Sequence, residues 1–313
     1  MSEALLDHAT YTMAVGSKSF AAAARLFDPD TRRSALMLYA WCRHCDDVID
    51  GQALGFGTAP LDATPAEQRL AALKAQTARA YQGEAMASPA FAAFQEVALA
   101  HDIPPSQAFD HLEGFAMDVR DVRYERLDDT LHYCYHVAGV VGLMMARVMG
   151  VRDEKVLYRA CDLGLAFQLT NIARDLVEDA QAGRCYLPAE WLREENITAE
   201  RAYSALLDPS ERERVARLAA RLLATAEPYY ASAREGLGAL PLRSAWAIAS
   251  ALKVYRQIGV KVRAKGARAW DGRQGTGKLE KMSLVASAGI SALASRRPRE
   301  APARDPSLWQ RPR

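Results

Sequence analysis

Two acidic stretches, each laid out on helical spacing, constrain this fold more than any other feature. The first is His44-Cys45-Asp46-Asp47-Val48-Ile49-Asp50; the second runs Gln168-Leu169-Thr170-Asn171-Ile172-Ala173-Arg174-Asp175-Leu176-Val177-Glu178-Asp179. Residues four apart in a helix lie one above the other. Asp46 and Asp50 therefore share a face, and Asn171, Asp175 and Asp179 form a longer oxygen stripe. With 38 acidic residues in 313, such i,i+4 pairs arise by chance about four or five times, mostly on solvated surfaces. The setting argues against that here. The first patch ends the apolar run Ala35 to Cys42, and the second interrupts Leu163 to Phe167 and Ile172-Ala173. Acids so flanked are expected to be partly buried, hence paired or metal-bound. Facing each other at ~4 Å with an effective dielectric near 20, each like-charged pair would cost roughly 4 kcal/mol. Hard divalent cations with oxygen ligands, bridging to a substrate diphosphate, would relieve that repulsion.

The rest of the chain is helical in pattern. Ala, Leu, Arg and Glu-rich segments predict helices near 31–50, 66–82, 89–101, 105–118, 128–149, 153–180, 209–237, 241–265 and 278–294, with no alternating strands. Asp30 or Thr31 is placed to cap the helix ending in the first patch, and Pro188 to stop the helix carrying the second. Gly51 to Pro65 reads as a surface loop. The expected organisation is one all-α domain over residues 1–294, followed by a disordered Arg/Pro-rich tail over 295–313.

A net charge of +2 gives no sign of nucleic-acid binding, and five cysteines without a framework suggest a reducing compartment. No signal peptide and no apolar run of membrane-spanning length is present, so a cytoplasmic location is expected. Met282 to Ile290, flanked by Lys278, Lys281, Arg296 and Arg297, either lies at a membrane surface or packs as a terminal helix. Several motifs are decoys. Cys42-Arg43-His44-Cys45 lacks a second ligand pair, and Tyr133 stands where a zincin between His132 and His136 would carry glutamate. Gly272 to Lys278 nearly spells a phosphate loop, but Leu279 replaces the Ser or Thr. No dinucleotide fingerprint is complete, because Pro60 and Pro241 occupy third-glycine positions.

With the acidic patches located, a further set of blocks stands in order: Gly16-Ser17-Lys18-Ser19-Phe20; Tyr39-Ala40-Trp41-Cys42-Arg43 leading into Asp46 to Asp50; Tyr133 to Gly142; Gly164 to Asp175; and Gly183 to Pro188. Over roughly residues 8–290 this resembles the squalene and phytoene synthases, the head-to-head prenyl transferases. Met13 to Asp50 and the ending Trp309-Gln310-Arg311-Pro312-Arg313 are most similar to the bacterial phytoene synthases of carotenoid pathways. One departure is Val140, where many members carry threonine, a change expected to alter packing rather than chemistry.

The resemblance implies a single isoprenoid-synthase-type helical bundle around a deep apolar cavity with both acidic motifs at its mouth. It implies condensation of two geranylgeranyl diphosphates through prephytoene diphosphate to phytoene, with Mg²⁺ or Mn²⁺ and no nicotinamide cofactor. Asp46, Asp50, Asn171, Asp175 and Asp179 would hold the metal, and Arg43, Arg174, Ser17, Ser19, Tyr255 and Arg273 would contact diphosphate. Tyr133 would act near the cyclopropanation step, with Phe20, Tyr39 and Gln168 lining the same region. Read from the residues alone, Arg43 and Arg174 could equally pair with neighbouring acids, and Tyr133 could be ordinary core. Asp47 and Glu178, about 100° around the helix from adjacent ligands, are expected beside the ligand set. Small residues at Ala138, Gly139 and Gly142 would leave room for a long tail. The alternatives are a C15-using squalene or dehydrosqualene synthase, and an inactive member serving as an assembly or lipid-binding factor. Apolar substrate and product imply a cavity opening toward a membrane surface or a neighbouring pathway enzyme.

Overall fold

The computed structural model describes residues 2–51, 64–297 and 301–312; most of the surface loop expected at 51–65 lies outside them. Among the described residues there are fourteen α-helices and no strand. They are α1 (Ser2–Gly16), α2 (Lys18–Ala24), α3 (Pro29–Asp50), α4 (Ala66–Tyr81), α5 (Pro89–Ala100), α6 (Pro105–Val119) and α7 (Leu127–Cys134). Then follow α8 (Val140–Val148), α9 (Glu154–Gln181), α10 (Ala189–Glu194), α11 (Ala202–Leu207), α12 (Arg212–Glu235), α13 (Leu242–Lys265) and α14 (Lys278–Ala294). The nine predicted helices are all present within a few residues, the fifth as α7 and α8 joined by a π-helical turn, Tyr135–Gly139. The helices α1, α2, α10 and α11 were not anticipated.

Local signals explain several boundaries. Asp28, not Asp30 or Thr31, caps α3: its carboxylate accepts from Thr31 N at 3.0 Å, and Pro29 occupies the first helical position. Gly51 ends α3 at φ 64°, a left-handed conformation glycine adopts without penalty. The helix α9 stops at Gln181, within a residue of the predicted end at 180, but Gly183 at φ 74° follows that end rather than Pro188. That proline instead begins α10.

The helix α9 runs through the centre, packed against α12, α8, α13 and the π-helical turn, while α3 packs on α1 and α5 across the bundle. Two glycines set the spacing around α9. A Cβ on Gly142 would stand 2.3 Å from Ala160 O, and one on Gly164 would stand 2.2 Å from Ala138 O. The small residues therefore let backbones touch. Gly142 and Ala138 border the cavity, but Gly139 is taken up by Cys161 and Tyr135.

The C-terminal segment is also unlike the sequence expectation. Residues 301–312 dock on the bundle instead of standing free, with Leu308 buried and Arg304 forked onto the fully buried Asp162 at 2.9 and 2.7 Å. A buried carboxylate is costly without a partner, and the tail brings one. No helix among the described residues is long and apolar enough to cross a membrane.

Candidate active site

Between α3 and α9 lies a cavity of about 730 Å³, bordered also by α2, α6, α8 and α13. All fifteen predicted site residues line it. From α3 come Tyr39, Arg43, Asp46 and Asp50, a continuous stripe at helical spacing. From α9 come Gln168, Asn171, Arg174, Asp175 and Asp179, and from α2 and its N-cap come Ser17, Ser19 and Phe20. Tyr133, Tyr255 and Arg273 arrive from α7, α13 and the segment before α14. The acids crowd the C-terminal ends of α3 and α9, neither of which has a basic residue in its last turn. Helix dipoles place partial negative charge at those ends, so the carboxylates sit where they are least favoured.

Arginines hold this excess together. Arg43 pairs with Asp46, and the Arg174 fork grips Asp175 at 2.7 and 2.5 Å. Arg273 reaches Asp175 at 3.2 Å and Glu178 at 2.8 Å. Arg184, from the loop after α9, crosses to Asp50 at 2.5 Å and ties the two stripes. Compensation is incomplete. Burial pushes Asp46 up to about 6 despite Arg43, with Asp50 adding to the rise. Burial, reinforced by Asp175, holds Asp179 well above the usual carboxylate range.

Among the described residues no three His, Cys, Asp or Glu side chains converge closely enough to enclose an ion as they stand. The donor set nevertheless fits a hard cation. Asn171 Oδ1 is buried without a hydrogen-bond partner, because its amide nitrogen faces Gln168 Oε1 at 3.4 Å. It is an oxygen acceptor beside the acids of its own helix stripe, which suits Mg²⁺ or Mn²⁺ better than a soft metal. Tyr39 Oη and Arg43 Nε are also buried at the cavity without partners. Both can donate to an anionic group.

Asp118, Arg184 and Tyr186 are among the cavity residues that the sequence reading gave no role. Tyr133 donates to Asp118 Oδ2 at 3.2 Å, and Tyr186 donates to Oδ1 at 3.1 Å. The two rings stack with centroids 4.5 Å apart. Burial raises Asp118 to about 6, against the pull of Arg184. Tyr133 is thus a buried ring on the cavity wall with a defined hydrogen-bond acceptor. Deeper in, Phe20 stacks on Tyr255 (5.2 Å) and Tyr255 on Phe167 (4.3 Å), while Ser17 Oγ caps α2 through Phe20 N. Beyond these aromatics the lining is largely aliphatic, including Leu38, Val141, Met145, Leu163 and Ala251. His132 and His136 contact each other at 3.1 Å outside the cavity.

A charged mouth over an apolar well is a geometry for a molecule with an anionic head and a hydrocarbon tail. The squalene/phytoene synthase family model matches residues 13–281. The chain is 64% identical over 309 residues to a 15-cis-phytoene synthase of Pantoea ananas, covering 98% of each chain. It is 50% identical over 312 residues to one from a Paracoccus species, covering 100% of this chain and 99% of that one. Among solved structures, a dehydrosqualene synthase in complex with ligand superposes with a TM-score of 0.80 at 26% identity, covering 94% of this chain and 98% of the other. Sequence, cavity and fold lead to one assignment: the chain belongs to the squalene/phytoene synthase family of prenyl transferases.

Proposed function

We propose that this chain is a phytoene synthase that joins two geranylgeranyl diphosphates head to head. The observation carrying this reading is the cavity itself, where oxygen ligands and arginine forks crowd one end and aliphatic side chains line the other. The high identity to relatives named 15-cis-phytoene synthase supports the same substrate class.

Asp46, Asp50, Asn171, Asp175 and Asp179 would hold Mg²⁺ or Mn²⁺, which when bound supplies Lewis-acid stabilisation of the departing diphosphate. Arg43 and Arg174 sit beside those acids with planar donor forks suited to phosphate oxygens, and Arg273 and Arg184 reach the same region. Diphosphate binding would exchange their present carboxylate partners for phosphate. The Tyr39 hydroxyl, without a partner now, would gain one. Loss of the first diphosphate leaves an allylic cation, which the double bond of the second substrate attacks; proton loss closes the cyclopropane of prephytoene diphosphate. The rings of Tyr133, Phe20, Tyr255 and Phe167 offer π-faces to such cations and exclude water. The Tyr133–Asp118 hydrogen bond fixes one of those rings. A second ionisation, rearrangement and proton loss give the C40 hydrocarbon, with no hydride required.

A membrane surface is a further expected partner. The helix α14 packs on α13, yet its outer face exposes Leu279, Met282, Ile290 and Leu293 beside Lys278, Lys281, Arg296 and Arg297. An apolar stripe rimmed by cations suits an anionic bilayer. Flotation with anionic versus neutral vesicles, and loss of binding in Leu279→Glu, tests it; equal binding to both vesicle types removes the charge argument.

The deciding experiment is product analysis of purified protein given geranylgeranyl or farnesyl diphosphate with Mg²⁺ and no nicotinamide. A C40 hydrocarbon made only from the C20 substrate is expected. A C30 product would move the substrate, and no metal-dependent diphosphate release from either would point to a non-enzymatic role.

A further inference from the structure

The cavity has a second end that the diphosphate chemistry leaves unexplained. The helix α9 spans both ends: Asp175 borders the mouth and Arg159 borders the floor, about 24 Å apart by helical rise. Around Arg159 the floor is closed by Met149, Val156, Gly236 and Leu240. An arginine is an unusual base for a hydrocarbon well, and this one is 9% exposed. Its guanidinium donates to Ser232 Oγ at 2.8 Å and to the backbone carbonyl of Pro302 at 2.6 Å. Ser232 in turn donates to Asp162, whose carboxylate takes the Arg304 fork. Arg304 also donates to Trp309 O at 2.8 Å, and Trp309 N donates to Tyr229 Oη at 3.2 Å. Trp309 packs on Tyr135 of the π-helical turn, which continues into the cavity wall at Val137 and Ala138.

We propose that residues 301–312 form a strap that pins Arg159 as the end-stop of the cavity and so sets the length of isoprenoid tail it admits. The inference rests on the prenyl diphosphate reading above. A methionine or leucine floor yields by changing rotamer. Arg159 cannot withdraw without breaking two hydrogen bonds, one of them buried, and stranding a cation against hydrocarbon. Gly236 keeps it seated, since a Cβ there would stand 2.9 Å from Arg159 Cβ. Arg159 and Arg304 are positioning residues and take no part in the chemistry.

The test is competition between C20 and C25 prenyl diphosphates on the full-length protein, with products identified by mass spectrometry. Arg159→Ala is expected to raise the C25-to-C20 kcat/KM ratio ~10-fold, within the reach of apolar pocket discrimination. Arg159→Lys, too short to hold both partners, should fall between it and the unmodified chain. Arg304→Gln, which loosens the strap at Asp162 without touching the cavity lining, should shift the ratio in the same direction. An unchanged ratio in folded Arg304→Gln would overturn the strap's role, and an unchanged ratio in Arg159→Ala would overturn the end-stop. Hydrogen exchange on the unmodified protein needs no variant. A non-ionisable C20 diphosphate analogue should slow exchange at Ser307 to Gln310, and a C15 analogue should not; equal effects from both would also overturn the proposal. An unmodified chain that turns over only the C15 substrate would instead overturn the functional reading.

Discussion

The helix α9 carries two carboxylate sites, a fully buried one near its N-terminus and a partly buried one near its C-terminus, and they are built on opposite principles. Toward its N-terminus Asp162 has no solvent exposure, yet a two-pronged arginine and a serine hydroxyl satisfy it completely. Toward its C-terminus Asp175 and Asp179 face Asp46 and Asp50 with arginines that pair some acids and leave Asp46 and Asp179 pushed above the carboxylate range. The rear pair is complete within the chain. The mouth carries more negative charge than its own cations neutralise, the imbalance on which the proposed metal and diphosphate site rests. Burial alone does not distinguish a structural acid from a functional one; the closure of its partner set does.

Substitutions at the two ends should therefore fail in different ways. Asp46→Asn is expected to lower hydrocarbon formation by ~1000-fold through loss of charge at the mouth proposed to hold the metal, without lowering the melting temperature. Near-normal turnover would take Asp46 out of that site. Asp162→Ala should do the reverse and cost about 3–5 kcal/mol of folding stability, because Arg304 is left buried without its counter-charge. Urea unfolding measures it, and a loss below 1 kcal/mol would make the rear pair dispensable. Tyr133→Phe should slow product formation by roughly 10- to 100-fold while diphosphate still binds, since the ring remains but its link to Asp118 is gone. An unaffected rate would return Tyr133 to the core. The smallest effect concerns pH. The Asp118 carboxyl titrates near 6 when folded, above its unfolded value of 3.8. Its contribution to stability is therefore present below pH 3.8 and lost as pH rises through 6. Asp118→Asn removes that loss, so its melting temperature should fall less between pH 4 and 7 than that of the metal-free parent. Parallel curves would show that Asp118 does not carry the dependence.

What could be read from the sequence was whatever repeats along one helix. Apolar periodicity located the long helices, and i,i+4 spacing placed Asp46 with Asp50 and Asn171 with Asp175 and Asp179 on shared faces. The ordered motifs then placed Tyr133 and the arginines in the same cavity. Residues that join the site through the fold carried no such periodic signal, even where, like Arg184 and Tyr186, they fall in a motif block. Arg184 follows α9 in a turn, and only the meeting of α3 and α9 brings it to Asp50. Asp118 ends an unremarkable helix, and its two tyrosine partners come from α7 and from the loop after α9. The tail was misjudged for a related reason. Its Arg and Pro content matches a disordered segment, but Arg304 answers a charge buried at Asp162 within the apolar run Cys161-Asp162-Leu163. That lone acid was the available clue. The π-helical turn depends on a one-residue shift in hydrogen bonding, Val140 N to Tyr135 O, which no composition encodes.

The back-to-back contact of Gly142 with Ala160 and of Gly164 with Ala138 limits how this lineage can adapt. A residue with no side chain has nothing left to trim, so any replacement there brings the partners closer than atoms allow or pries them apart. Mutation at those two positions has a single direction, toward less space. Accommodation of a bulkier substrate has to come from lining residues that still have atoms to lose, Phe20, Phe167 and Tyr255 among them.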